Sequence, residues 1–144
     1  MSNLSPYLCC KDASRAIDFY QKALGAKEIM RLAEPGGRIG HAELEIAGAT
    51  IMLVDEYPDY GVLSPTSIGG TPVRLHLYVD DVDGFVARAV AAGAKITRPV
   101  EDQFYGDRSG QIEDPSGHVW FVATRKEQVS ADEIRRRFDA LMRT

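Results

Sequence analysis

The sequence is poor in the features that announce a function by themselves. No apolar run approaches the roughly 20 residues that cross a bilayer as a helix, so a membrane partner is not expected. Its two cysteines, Cys9 and Cys10, are adjacent. They are poor partners for one another, so a reduced, cytoplasmic setting is the expectation. The N-terminus has no basic stretch followed by an apolar core, the pattern of a secretory signal. Positive charge is not in excess: the formal net charge is −4, which argues against a nucleic-acid partner. The one basic run, Arg135 to Arg137, is interleaved with acids and suits a solvated helix face. No Gly-x-Ser-x-Gly elbow, Ser/His/Asp order or phosphate loop occurs. Histidine is scarce, with only His41, His76 and His118.

What is present fits one soluble globular domain. The 144 residues are 44% hydrophobic and 26% charged, outside the range of disordered chains. The most informative feature is a repeat. Asp12 to Lys27 reads DASRAIDFYQKALGAK, and 68 residues later Asp80 to Lys95 reads DDVDGFVARAVAAGAK. Gly48-Ala-Thr-Ile-Met-Leu-Val matches Gly117-His-Val-Trp-Phe-Val-Ala at an offset of 69. A tandem duplication explains both anchors.

Each copy reads as β-α-β-β-β. Residues 6–10 form a short apolar strand. Asp12 suits a helix N-cap, and Ala13, Ile17, Tyr20 and Leu24 follow at spacings of three and four. Gly25 stops that helix. Strands are expected over 26–33, 38–46 and 50–54. Residues 56–71 have no helical or strand period and read as a linker. The second copy repeats the order, with strands at 73–79, 95–99, 108–113 and 118–123 and a helix over 82–92. Ser130-Ala-Asp-Glu133 is a capping box that opens a helix with Ile134, Phe138 and Leu141 on one side. The organisation is module one over 4–55, a linker over 56–71, module two over 72–126 and a C-terminal helix over 130–143.

These segments resemble the vicinal oxygen chelate superfamily, in particular its glyoxalase/bleomycin-resistance-like proteins. The likeness rests on Pro6-Tyr-Leu, Ala16-Ile-Asp-Phe-Tyr20, Leu24-Gly-Ala26, His41-Ala-Glu-Leu, Leu77-Tyr-Val-Asp-Asp-Val-Asp83, Tyr105-Gly-Asp-Arg108 and Asp114-Pro-Ser-Gly-His-Val-Trp120. It implies an α+β fold, in which tandem modules form a cupped mixed sheet with helices on the convex side. It also implies a homodimer. The family's enzymes hold a divalent metal from the first and last strands of each module. Those places fall here at Ser5, Met52, Val73 or Arg74, and Phe121. A hydroxyl, a thioether, a guanidinium or valine, and a phenyl ring do not make a metal site. No metal or other cofactor is therefore expected.

Strand alternation nominates a small-molecule pocket lined by Tyr7, Cys9, His41, Glu43, Thr50, Met52, Arg74, His76, Tyr78 and Phe121, with Tyr105 and Arg108 closing one end. Cys10 and Trp120 then lie under the helices, and His118 caps its turn. Two functions stay open. One is metal-independent enclosure of a flat or amphipathic ligand, as bleomycin-resistance-like proteins do. The other is a lyase, isomerase or dioxygenase with a non-standard metal site, for which His41, His76 and Glu43 are the available donors.

Overall fold

The structure is a computed structural model and describes residues 3–144. Met1 and Ser2, the start of the expected signal-free N-terminus, lie outside the described residues. Module one runs β1 (Tyr7–Cys10), α1 (Ala13–Leu24), β2 (Lys27–Ala33), β3 (Ile39–Ile46) and β4 (Ala49–Asp55). After the one-turn helix α2 (Pro65–Ile68), module two runs β5 (Arg74–Tyr78), α3 (Val82–Ala91), β6 (Lys95–Asp102), β7 (Asp107–Glu113) and β8 (Val119–Arg125). Helix α4 (Ala131–Met142) ends the chain. The sheets have matching orders, β1-β4-β3-β2 and β5-β8-β7-β6. In each, the first strand lies parallel to the last and the other pairs are antiparallel. The duplicated α+β architecture is as the sequence implies.

The helices form where caps and periodicity coincide. Asp12 accepts the Arg15 N–H at 3.2 Å, and Asp81 accepts the Gly84 N–H at the same distance. In α1 the stripe Ala13, Ile17, Tyr20 and Leu24 is buried. In α3 Val82, Val86 and Ala89 are buried. Gly25 closes α1 at φ +66°, a conformation that side chains with a Cβ resist. The last strand of each module also holds the start of its helix. Asp55 accepts from the Ala13 N–H at 2.7 Å, and its other oxygen accepts from Ile39 N–H. At the equivalent place Thr124 Oγ1 accepts from the Val82 N–H at 2.8 Å.

One core serves both modules. Leu8, Cys10, Ile17, Leu44, Leu53, Val86, Ile112, Trp120 and Val122 belong to a single buried cluster, with α1 and α3 packed on one another. Polar groups stitch it together. The Tyr20 hydroxyl and the Trp120 indole N–H both donate to Asp114 Oδ2, while the backbone N–H groups of Ser116 and His118 donate to Oδ1. The His118 ring does not stay at its turn. Its Nε2 lies 2.8 Å from the Cys9 carbonyl oxygen, so it bridges the modules as well.

Two segments differ from the expectation. The linker contains a 3₁₀ turn at Pro58–Tyr60 and the helix α2, capped by Ser64. Both start at a proline whose fixed φ suits a first helical position, and both are too short for any period to register. Strand β6 continues through Pro99 to Asp102, with a register break between Arg98 and Glu101. As the outer strand of its sheet it can hold a proline at such an irregularity. Among the described residues, no helix is long and apolar enough to cross a membrane.

Candidate functional site

The helices cover one face of each sheet, and alternation sends the intervening side chains to the other face. On module one the exposed face carries Tyr7, Cys9, His41, Glu43, Thr50 and Met52. Its central row is set by register: Tyr7 opposes Met52, Met52 opposes Glu43, and Glu43 opposes Met30. Tyr7 is 53% exposed. Its hydroxyl lies 2.8 Å from His41 Nδ1, and His41 Nε2 lies 2.9 Å from Glu43 Oε2. The two rings meet edge to face. Met52, in register between Tyr7 and Glu43, is half-buried. Partial burial is the main force pushing the Cys9 thiol up to about 11, with Glu56 and Asp55 adding to it. Cys9 is thus a protonated, weakly nucleophilic lining residue.

On module two the equivalent row is His76, Phe121, Gln111 and Arg98. His76 stacks on Phe121, with ring centroids 5.3 Å apart and planes 27° from parallel. Tyr78 also meets His76 edge to face, with centroids 4.7 Å apart. The Arg74 guanidinium lies 5.7 Å from the Phe121 centroid and donates to Gln111 Oε1 at 3.2 Å. Gln111 in turn donates to Thr97 Oγ1. Tyr78 donates to Asp107 Oδ2 at 2.8 Å, with Arg125 over its ring. A cavity of about 560 Å³ opens here, lined by Tyr78, Tyr105, Asp107, Arg125, Val129 and Ile134 among others. A smaller one, about 230 Å³, lies where β1 meets β5 and β8, lined in part by Tyr7, Val73, His118 and Val119.

The nominated residues therefore fall into two groups. Tyr7, Cys9, His41, Glu43, Thr50 and Met52 share one face; Arg74, His76, Tyr78 and Phe121 share the other, with Tyr105 at its end. Arg108 belongs to neither. Strand alternation turns it toward α3, where it donates to both oxygens of Asp83 at 2.8 and 3.1 Å and to Asp102 at 3.1 Å. Those hydrogen bonds hold the Asp83 carboxyl below its ordinary range. The residues that alternation on β7 does place on the open face are Asp107 and Gln111. Their signal was Ile112: a core residue at that position puts its odd-numbered neighbours outside.

The fold and the open faces define a paired-module βαβββ protein. The profile of the Glyoxalase/Bleomycin resistance protein/Dioxygenase superfamily matches residues 4–122, and the chain belongs to that superfamily. The uncharacterized protein Mb0911c of Mycobacterium bovis is 47% identical over 134 residues, spanning 91% of this chain and 88% of that one. Among solved structures, TioX from Micromonospora sp. ML1 is 30% identical with a TM-score of 0.69, covering 87% of this chain and 99% of that chain. Protein PA1353 from Pseudomonas aeruginosa shares the fold at a TM-score of 0.70 and 22% identity, over 88% of this chain and 100% of its own.

The superfamily's metal does not fit the residues at its expected place. Arg74 brings a cation to that position and Phe121 a ring beneath it. Met52 and Ser5 add a thioether and a hydroxyl, neither a donor set for a hard or borderline divalent ion. The remaining donors do not gather elsewhere. His41 and Glu43 meet, but His76 packs against Phe121 and Tyr78 instead. Among the described residues no group of three or more His, Cys, Asp or Glu is placed to hold a metal.

Proposed function

We propose that the chain is a metal-independent small-molecule-binding protein. The observation that carries this reading is Arg74 held over Phe121 by Gln111. At Arg74, which with Val73 is where the resemblance puts a metal ligand, this chain offers a cation beside an aromatic stack. Such a surface favours a flat ligand with an anionic group: the rings take its face, and the guanidinium takes its charge. The open face of module one supplies Met52, Tyr7 and Cys9 as further apolar lining.

The faces are also where a homodimer would form. Tyr7, Met30, Leu32 and Tyr78 are exposed large hydrophobics, and a second copy laid over them would turn two open faces into enclosed clefts. A reducing, cytoplasmic location fits two thiols with no disulfide partner.

The test is calorimetric titration with 2-naphthoate, with and without EDTA. Binding of equal strength in both, weakened about tenfold or more in Arg74→Ala by loss of a charge-assisted contact, supports the reading. Binding that requires added metal rejects it.

A further inference from the structure

Tyr7, His41 and Glu43 form a chain whose proton positions follow from chemistry. An ionised Glu43 can only accept, so His41 Nε2, 2.9 Å away, must carry the hydrogen between them. In a neutral imidazole Nδ1 is then an unprotonated acceptor. The Tyr7 hydroxyl 2.8 Å from Nδ1 must be its donor. The order is phenol to imidazole to carboxylate, the arrangement by which a base held by a third group activates a hydroxyl. The three residues come from two strands that flank β4, so the sheet, rather than a loop, fixes the spacing. The far end is open: Tyr7 is 53% exposed, while the His41 and Glu43 side chains are 23% and 30% exposed.

We propose that this chain is a metal-free proton relay, with Tyr7 the catalytic residue and His41 and Glu43 positioning residues behind it. The relay acts on carbon acids. As the Tyr7 oxygen takes a proton from a ligand carbon, the phenolic proton passes to His41 Nδ1. The C–H electron pair stays on the ligand as an enolate, and the imidazolium is balanced by Glu43. Reversal returns a proton to the same carbon or to another one conjugated with it, so the net change is exchange or isomerisation, with no oxidant or reductant. A relay that works through a phenol suits carbon acids near a phenol in acidity, roughly pKa 10, such as a methylene between two carbonyls. The relay depends on module one alone and stands or falls independently of ligand binding on module two.

The probe is acetylacetone in dilute deuterated buffer, with deuterium uptake at its central carbon followed by NMR. The native protein should accelerate exchange over the Tyr7→Phe variant on the order of a hundredfold, the lower range for a positioned acid–base group. His41→Gln should match Tyr7→Phe. Glu43→Gln should keep the His41 tautomer, because the amide oxygen still accepts, yet slow exchange. The ring nitrogens of His41, observed by ¹⁵N NMR in the native protein, should show hydrogen on Nε2 and a bare Nδ1. A structural role alone would leave exchange equal in native and Tyr7→Phe protein. That equality, or hydrogen on Nδ1, overturns the proposal.

Discussion

The hydroxyl of Tyr20 donates to Asp114 Oδ2 at 2.5 Å, joining the first module's helix to the turn before the last strand of the second. Both residues are buried. Asp114 receives three further N–H groups, from Trp120, Ser116 and His118, so its charge is dispersed over four donors. A buried carboxylate that loses one donor is costly to leave partly satisfied. Tyr20→Phe keeps the ring and removes only the hydroxyl. It should destabilise the fold by about 1–3 kcal/mol, read as a lower urea midpoint with an unchanged slope.

Alkali should weaken the protein before its surface groups explain why. Burial pushes Cys10 from its ordinary 9.0 up to about 12 and Cys9 up to about 11. Burial, with Asp114 alongside, raises Tyr20 well above its ordinary value of 10.0. In each case the folded state holds a proton that the unfolded chain has released. Stability is therefore full below 9.0 and falls as pH climbs through the raised values. Urea midpoints at about pH 8 and about pH 10.5 should differ, and a Cys10→Ala variant should show a shallower fall. Ellman's reagent at neutral pH should leave Cys10 unmodified until the protein is unfolded.

Arg108 should be silent in binding. It faces α3, and its partners Asp83 and Asp102 are 55% and 76% exposed. Solvent screens such pairs, so Arg108→Ala should leave the urea midpoint almost unmoved and the affinity for 2-naphthoate unchanged. A loss of affinity comparable to that of Arg74→Ala would place its side chain on the open face.

Helix α4 is held to the rest of the chain by Arg137 and by the contact of the Phe138 ring with Phe104. Arg137 donates to Glu127 at 2.7 Å, to Glu133 at 3.0 Å and to the Phe104 carbonyl at 2.9 Å, while no residue of the helix is buried. Arg137→Ala should release it, seen as faster amide exchange across Ala131–Met142 with little change in the exchange of β7 and β8. The cavity beside Tyr105 and Ile134 should open with it.

Much of the fold was legible because the chain states it twice. Asp12 and Asp81 cap, Ile17 and Val86 point inward, and the β-strand period sorts Phe121 from Trp120 by parity alone. The repeat implies two equivalent units, and the two sheets have matching strand orders. The site was legible only as faces. Parity put Tyr7, His41 and Glu43 on one side but did not show that they touch, since contact across β4 depends on register. Arg108, expected to close one end of the pocket, bonds Asp83 and Asp102 instead; an arginine after a loop has no hydrophobic period of its own to anchor it. The linker's short helices and the proline inside β6 were hidden for the same reason: each rests on one or two residues of local geometry.

Ligand binding on this fold should proceed here without a metal. The most direct measurement is elemental analysis of the native protein, purified without chelator from medium supplied with Mg, Mn, Fe, Ni and Zn. The expected result is no metal near one equivalent per chain, with 2-naphthoate binding intact in the same preparation. One equivalent of a single divalent metal, removed by chelation together with ligand binding, would contradict it.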